Sequence, residues 1–246
     1  MKLTDRERAE NRKALAGMTL PQRLDHIFEY YKFPLVLILI AVVAAGSVLY
    51  YRLTRKQALL YVGCANISVG ETLDRELGEG FTKDIGENPS KSEVRLYRNL
   101  YLSRDATVQN HEYAYASQLK VMAAMANGQL DVVLMNREAY DIMSTGGYLL
   151  PLEGFLEGGL SGRAADSLVA NTVILSDNAI EHRLDESVPY HAETEEVTNA
   201  IRISDFPLFA RAGFSGEVYL GVVGNTTRTE AVLRYIDYLT SAPRGG

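Results

Sequence analysis

Hydrophobic and polar positions divide the chain into an N-terminal helical stretch and a longer region of shorter periods. Residues 1–18 are dominated by charged and small side chains with little to bury, which predicts a polar tail. Over 19–32, Leu20, Leu24, Ile27, Phe28 and Tyr31 recur at helical spacing, while Arg23, Asp25, Glu29 and Lys32 take the other side. That single stripe predicts an amphipathic helix capped by Thr19, with Pro21 near its first turn. Directly after it comes 33–51, FPLVLILIAVVAAGSVLYY, nineteen residues without a charge. At about 1.5 Å per residue the run spans roughly 28 Å, close to the thickness of a bilayer's hydrocarbon core. Tyr50 and Tyr51 stand where interfacial aromatics are found, and Lys32 and Arg52 close the two ends. Buried core helices are usually shorter and carry polar residues, so the pattern predicts one transmembrane helix. The stripe before it predicts a helix lying on the membrane surface, or else a docking face for a partner's helix.

From residue 57 the pattern changes. Residues 58–67 (ALLYVGCANI) form an apolar run bounded by turn residues, which predicts a buried strand. A helix is predicted from Ser68 to about Ile85, with Leu73, Leu77 and Phe81 at four-residue steps, and the turn residues of 86–90 break it. Over 93–102, Val94, Leu96, Leu100 and Leu102 point one way and Arg95, Tyr97, Asn99 and Tyr101 the other, a strand with one wet face. A polar loop over 103–110 leads into a helix over 111–127 that stops at Gly128. Residues 131–136 (DVVLMN) read as another buried strand, followed by a helix over 137–144. This rhythm predicts crossover units and a largely parallel sheet. Further along, 160–170 reads as a helix, 171–175 as a strand, 177–196 as an acidic loop and 197–204 as a strand. A last strand from Val218 and a helix over 229–240 complete the region.

Charge sets the topology. Seven Lys and Arg precede the apolar run, and three (Arg52, Arg55, Lys56) follow it closely, which predicts a cytoplasmic N-terminus and an extracellular C-terminal domain at the cell membrane. The basic stop at 52–56 and the length of the run predict an uncleaved anchor rather than a signal peptide. From 57 onward, fifteen Lys and Arg face twenty-six Asp and Glu, a net charge of −11. So acidic a domain argues against nucleic acid or anionic lipid as its ligand. The single cysteine, Cys64, rules out an intramolecular disulfide, and its place in an apolar strand predicts an inert core thiol. The expected organisation is a tail (1–18), a juxtamembrane helix (19–32), a transmembrane helix (33–51), a basic stop (52–56), an extracytoplasmic α/β domain (57–241) and a short tail (242–246).

Two segments carry a resemblance. The run Tyr115-Ala116-Ser117-Gln118-Leu119-Lys120 through Ala126-Asn127-Gly128-Gln129-Leu130-Asp131-Val132-Val133, followed by Gly147-Tyr148-Leu149-Leu150-Pro151-Leu152, resembles the first lobe of bacterial extracytoplasmic solute-binding proteins of ABC importers. The run from Val218 to Thr227 with its following helix is similar to the closing segment of such a lobe. The membrane anchor also looks like those of small tethered proteins of Gram-positive bacteria. The resemblance implies a periplasmic-binding-protein-like α/β fold that holds a ligand between two lobes. Only 65 residues separate Leu152 from Val218, however, so the second lobe is expected to be reduced or missing. Tight capture buries most of a ligand's surface, and a half-clamshell supplies less.

Candidate chemistry is sparse. No Gly-x-Ser-x-Gly elbow, phosphate loop or His-Glu-x-x-His is present, so no catalytic residue is assigned and no metal or cofactor is expected. Glu181, His182, Asp185, Glu186, His191 and Glu193 make a His/carboxylate-rich loop, but its spacing matches no metal site and a solvated loop is the plainer reading. Ligands of parallel sheets sit beyond the carboxyl ends of the strands, which nominates Asn66, Ser68, Asn136, Arg137 and Asn225. Tyr113 and Tyr115, with Tyr97 and Tyr101 nearby, add aromatics able to stack on a sugar or meet a protein, although ordinary packing against helices is the plainer reading. Three functions follow as expectations. One is a tethered module that binds a small ligand or peptide for uptake or sensing. Another is an accessory or scaffold subunit of a membrane protein complex, such as a transporter. The third, an exported enzyme, has no visible catalytic group.

Overall fold

The computed structural model describes residues 19–54, 56–104, 111–156 and 162–241, without the side chains of 20–32, 35, 53, 111, 156, 162 and 163. The polar tail 1–18, most of the 103–110 loop and the end at 242–246 lie outside the described residues. The chain divides into two units, Met1–Arg55 and Lys56–Gly246.

In the first unit, helix α1 (Leu20–Thr54) runs without a break through the amphipathic stretch and the apolar run, with Pro34 inside it. Among the described residues no helix is long and apolar enough to cross a membrane. The membrane reading of 33–51 therefore rests on the sequence.

The second unit is built around one sheet. Among its described residues there are six strands, β1 (Gln57–Ala65), β2 (Ser92–Leu100), β3 (Val132–Met135), β4 (Leu168–Asp177), β5 (Ala192–Arg202) and β6 (Tyr219–Val222). They lie in the order β2-β1-β3-β6-β5-β4. Alternation along β1 sends Leu60, Val62 and Cys64 to one core and Ala65 to the other. The first core is covered by α2, which begins at Glu71–Arg75, passes through a π-helical turn at Glu76–Gly80 and ends at Phe81–Asp84. Leu73, Leu77 and Phe81 are its buried side chains. On the other face lie α3 (His111–Ala126) and α4 (Arg137–Thr145), which contribute Val121, Met125, Tyr140 and Met143. Short helices α5 (Leu152–Leu156), α6 (Gly162–Ala165), α7 (Ala179–Leu184) and α8 (Pro207–Ala212) precede the last helix, α9 (Thr229–Thr240). α9 returns to the first core with Val232, Tyr235, Ile236 and Leu239.

The mixed α/β class is as expected, and several finer expectations are corrected. The sheet is parallel only across β2, β1 and β3; β6, β5 and β4 pair antiparallel. The segment read as an acidic loop over 177–196 is the end of one strand, helix α7 and half of β5. Its side chains over 192–196 are all exposed, so it has no buried face to leave an apolar period in the sequence. Where 160–170 was expected to be helical, only Gly162–Ala165 is, and β4 already begins at Leu168; 157–161 lie outside the described residues. α2 begins at Glu71 rather than Ser68, because Gly70 is still extended.

β2 also departs from simple alternation. Val94 and Leu96 belong to one core, whereas Leu100 and Leu102 belong to the other. Asn99 adopts a left-handed φ of 57° and the register with β1 steps from Gly63↔Tyr97 to Ala65↔Leu100. One extra residue reverses the side-chain parity. This bulge, with Glu93, Arg95 and Arg98, guards one edge of the sheet against pairing with another chain.

Cys64 is buried at the centre of the first core, and burial pushes its thiol up to about 12 from an ordinary value near 9. Two outcomes are expected. At pH 8 a thiol reagent should modify Cys64 only at the rate of global unfolding; labelling faster than amide exchange of β1 would contradict the burial. Because the folded value is raised, this group's contribution to stability is intact below about pH 9 and falls as pH rises toward 12. A Cys64→Ala variant should lose that part of the alkaline decline in a urea–pH series.

Candidate functional site

The sequence-nominated residues do not converge. Asn66 and Asn136 lie beyond the carboxyl ends of β1 and β3, where parallel strands place a ligand. Each is used internally. Asn66, left-handed at φ 56°, donates through Nδ2 to the Leu102 carbonyl at 2.7 Å and accepts from the Leu102 N–H at 2.8 Å. Asn136 caps α4, its Oδ1 accepting from the Ala139 N–H at 2.9 Å. Arg137 donates to Asp141 at 2.9 Å and lies over the rings of Tyr140 and Tyr219 at 5.7 and 5.9 Å. Ser68 is exposed in an open depression of about 480 Å³ with Glu71, Leu208 and Arg211. Asn225 lies at the opposite end of the sheet, because β6 runs antiparallel to β3; its Nδ2 donates to the Met125 carbonyl at 2.6 Å. Tyr113 and Tyr115 are exposed on α3, and Tyr113 stacks on Tyr101 at 6.4 Å.

A larger groove, about 540 Å³, lies between α2 and β2. Three of the charges in its wall, Asp74, Glu93 and Arg98, are already paired. Arg98 holds Asp74 through two bonds, one from Nη2 to Oδ2 at 2.6 Å, and Glu93 is paired with Arg95 at 2.9 Å. Among the described residues no group of three His, Cys, Asp or Glu side chains is placed to hold a metal ion. His182 is engaged through Nδ1 with the Val188 carbonyl at 2.6 Å.

The two segments that carried the family resemblance do meet, and their meeting is structural. Asp131 has no exposure and accepts from the Tyr61 N–H at 2.9 Å, Thr226 Oγ1 at 2.6 Å and Arg228 Nη1 at 3.2 Å. Arg228 also donates to the Gly128 carbonyl at 3.0 Å and lies 4.8 Å above the Tyr61 ring. Sequence reading missed Arg228, since nothing in its neighbourhood signals a partner nearly a hundred residues away.

What stands out in place of a cleft is an arm. β5 pairs with β6 only over Ala200–Arg202, whereas its pairing with β4 continues from Val197 to Ala192. The distal part of the hairpin is thus a two-stranded ribbon, closed by α7 at its tip. Its root is fixed by buried polar contacts to α4. The Tyr140 hydroxyl donates to Asn199 Oδ1 at 2.9 Å, Asn199 Nδ2 donates to Ser144 Oγ at 2.8 Å, and Ser144 Oγ donates to the Thr172 carbonyl at 3.0 Å. Asn171 donates to Asp141 at 2.8 Å. Burial raises the Tyr140 phenol well above its ordinary range, so it stays a donor. The tip is the reverse: Leu175, Ile180, Leu184 and Tyr190 are 56, 74, 84 and 47% exposed. Ile180 and Leu184 stand one turn apart on α7, facing water. Over 177–196 the arm carries seven carboxylates and one arginine.

No family model matches the chain, and comparison with curated proteins and with solved structures also returns no match. The likeness to solute-binding proteins rests on the quoted motifs alone.

Removing one member of either polar cluster should cost stability. Tyr140→Phe leaves Asn199 Oδ1 buried without its donor and is expected to lower unfolding free energy by about 1–3 kcal/mol, read as a lower urea midpoint at unchanged slope. Arg228→Met strips the buried Asp131 of its cation and should cost about 3 kcal/mol, with Asp131→Asn in the same chain recovering part of the loss. A variant as stable as the parent would show that these contacts do not form.

Proposed function

We propose that the chain is a membrane-tethered accessory subunit whose extracytoplasmic domain contacts a protein partner through the β4–β5 arm. The observation that carries this reading is the pairing of a fixed root with an apolar tip left in water. Four large apolar side chains held exposed on a rigid projection raise the free energy of the isolated domain, and a partner that covers them recovers it. Support for the tether is the uncharged run at 33–51 with its flanking cations, and the excess of cations before it supports a cytoplasmic N-terminus. The second expectation, capture of a small solute or peptide, has the motif resemblance behind it. Against it stand the open shape of both depressions and the internal use of Asn66, Asn136 and Asn225. Among the described residues no side-chain constellation supports a catalytic role.

The test is purification of the full-length protein from detergent-solubilised membranes at native expression, with mass spectrometry of what accompanies it. A fixed membrane protein at near-equal amount is expected, and Ile180→Asp with Leu184→Asp should release it without lowering the melting temperature. A clean monomer or homodimer whose melting temperature rises with a solute would replace this reading with the solute-binding one.

A further inference from the structure

Resting on the reading of the chain as a tethered accessory subunit, we infer that the arm tip seats on an integral membrane protein beside the anchor. The surface it meets is apolar, rimmed with Lys or Arg and close to the bilayer.

The direction of the arm follows from the register. Ala200 pairs with Gly221, Gly221 with Val133, and Val133 with Gly63, so these four residues form one row across the sheet. β5 is antiparallel to β6, which is antiparallel to β3, which is parallel to β1. Stepping back along β5 from Ala200 to Ala192 therefore heads the same way as stepping back along β1 from Gly63 to Gln57. The hairpin end and α7 leave the sheet at the end where β1 begins. The chain arrives there from α1, with only residues 55 and 56 between Thr54 and Gln57, at most about 11 Å of extended backbone. The arm thus leaves the sheet at the end where the chain enters the domain. A twist of about 20° per strand, accumulated over the three steps from β1 to β5, also swings it aside by roughly 60°. The end it shares with the chain's point of entry is what makes a neighbour of the anchor the inferred occupant.

Chemistry selects the occupant. Leu175, Ile180, Leu184 and Tyr190 need an apolar seat. Asp177, Glu181, Asp185, Glu186, Glu193 and Glu195 on the same arm repel anionic lipid headgroups, and they repel the arm of a second copy as well. A membrane protein that presents cations around an apolar patch satisfies both requirements.

The experiment places a photo-crosslinking residue in the full-length protein in native membranes, as Leu184→p-benzoylphenylalanine and, for comparison, Ser68→p-benzoylphenylalanine beyond the opposite end of β1. Illumination of the first variant should yield one dominant adduct with an integral membrane protein, joined at an extracytoplasmic segment rich in Lys or Arg. Glu181→Lys with Glu186→Lys should cut that yield at least fivefold, and raising the salt concentration should reduce it too. The Ser68 variant should give no such adduct. An adduct with a water-soluble protein would overturn the bilayer-level inference and leave the accessory reading standing. An adduct with lipid alone, or none from a variant that melts like the parent, would overturn both.

Discussion

A carboxylate taken wholly out of water must be answered by donors, and Asp131 draws three of them from two distant parts of the chain. The Tyr61 N–H comes from β1, and Thr226 and Arg228 come from the turn between β6 and α9. Asp131 stands at the start of β3, so the end of β6 has to lie there too, and β6 runs against β3. That reversal divides the sheet into a parallel half and an antiparallel half. It puts Asn225 at the opposite end from Asn66 and Asn136. It also sets the direction of β5, and so of the arm.

The arm combines two opposite physical states in one hairpin. At its root, Tyr140, Asn199 and Ser144 satisfy one another and the Thr172 carbonyl in a buried chain of hydrogen bonds, which holds both strands against α4. Fixing the root removes much of the conformational freedom that a contact at the tip would otherwise have to freeze. At the tip, Ile180 and Leu184 have no buried neighbour to stand against. Fixed at one end and uncovered at the other, the hairpin is the feature on which the proposed contact with a partner rests.

The parts of the fold that read easily from the sequence are those whose burial is set locally. β1 and β3 are short apolar runs with both faces covered, and α9 carries Val232, Tyr235, Ile236 and Leu239 on one side. β2 read as a strand, but one left-handed residue, Asn99, reversed its later side chains, and no local pattern announces a bulge of that kind. The distal half of β5 was illegible for a different reason. Its side chains are wet on both faces, so the strand exists through its pairing with β4 and not through a buried face. The site residues fared similarly: Asn66 and Asn136 fell at the expected strand ends, yet their amides are bound by Leu102 and by the first turn of α4.

By itself, the sequence determined the α/β class, the inert place of Cys64 in a core strand, the acidic character of the domain, and an uncharged run long enough to propose an anchor. Those properties depend on composition and on periods of two to four residues, which neighbours along the chain express together. Only the tertiary structure decided the antiparallel return of β6, the pairing of Asp131 with Arg228 and the projection of the arm. Each of these depends on groups far apart in the chain, 97 positions for Asp131 and Arg228 and 28 to 59 for the contacts at the arm's root. A hydrogen bond or ion pair of that span leaves no mark on the local pattern, because its geometry exists only once the sheet has assembled.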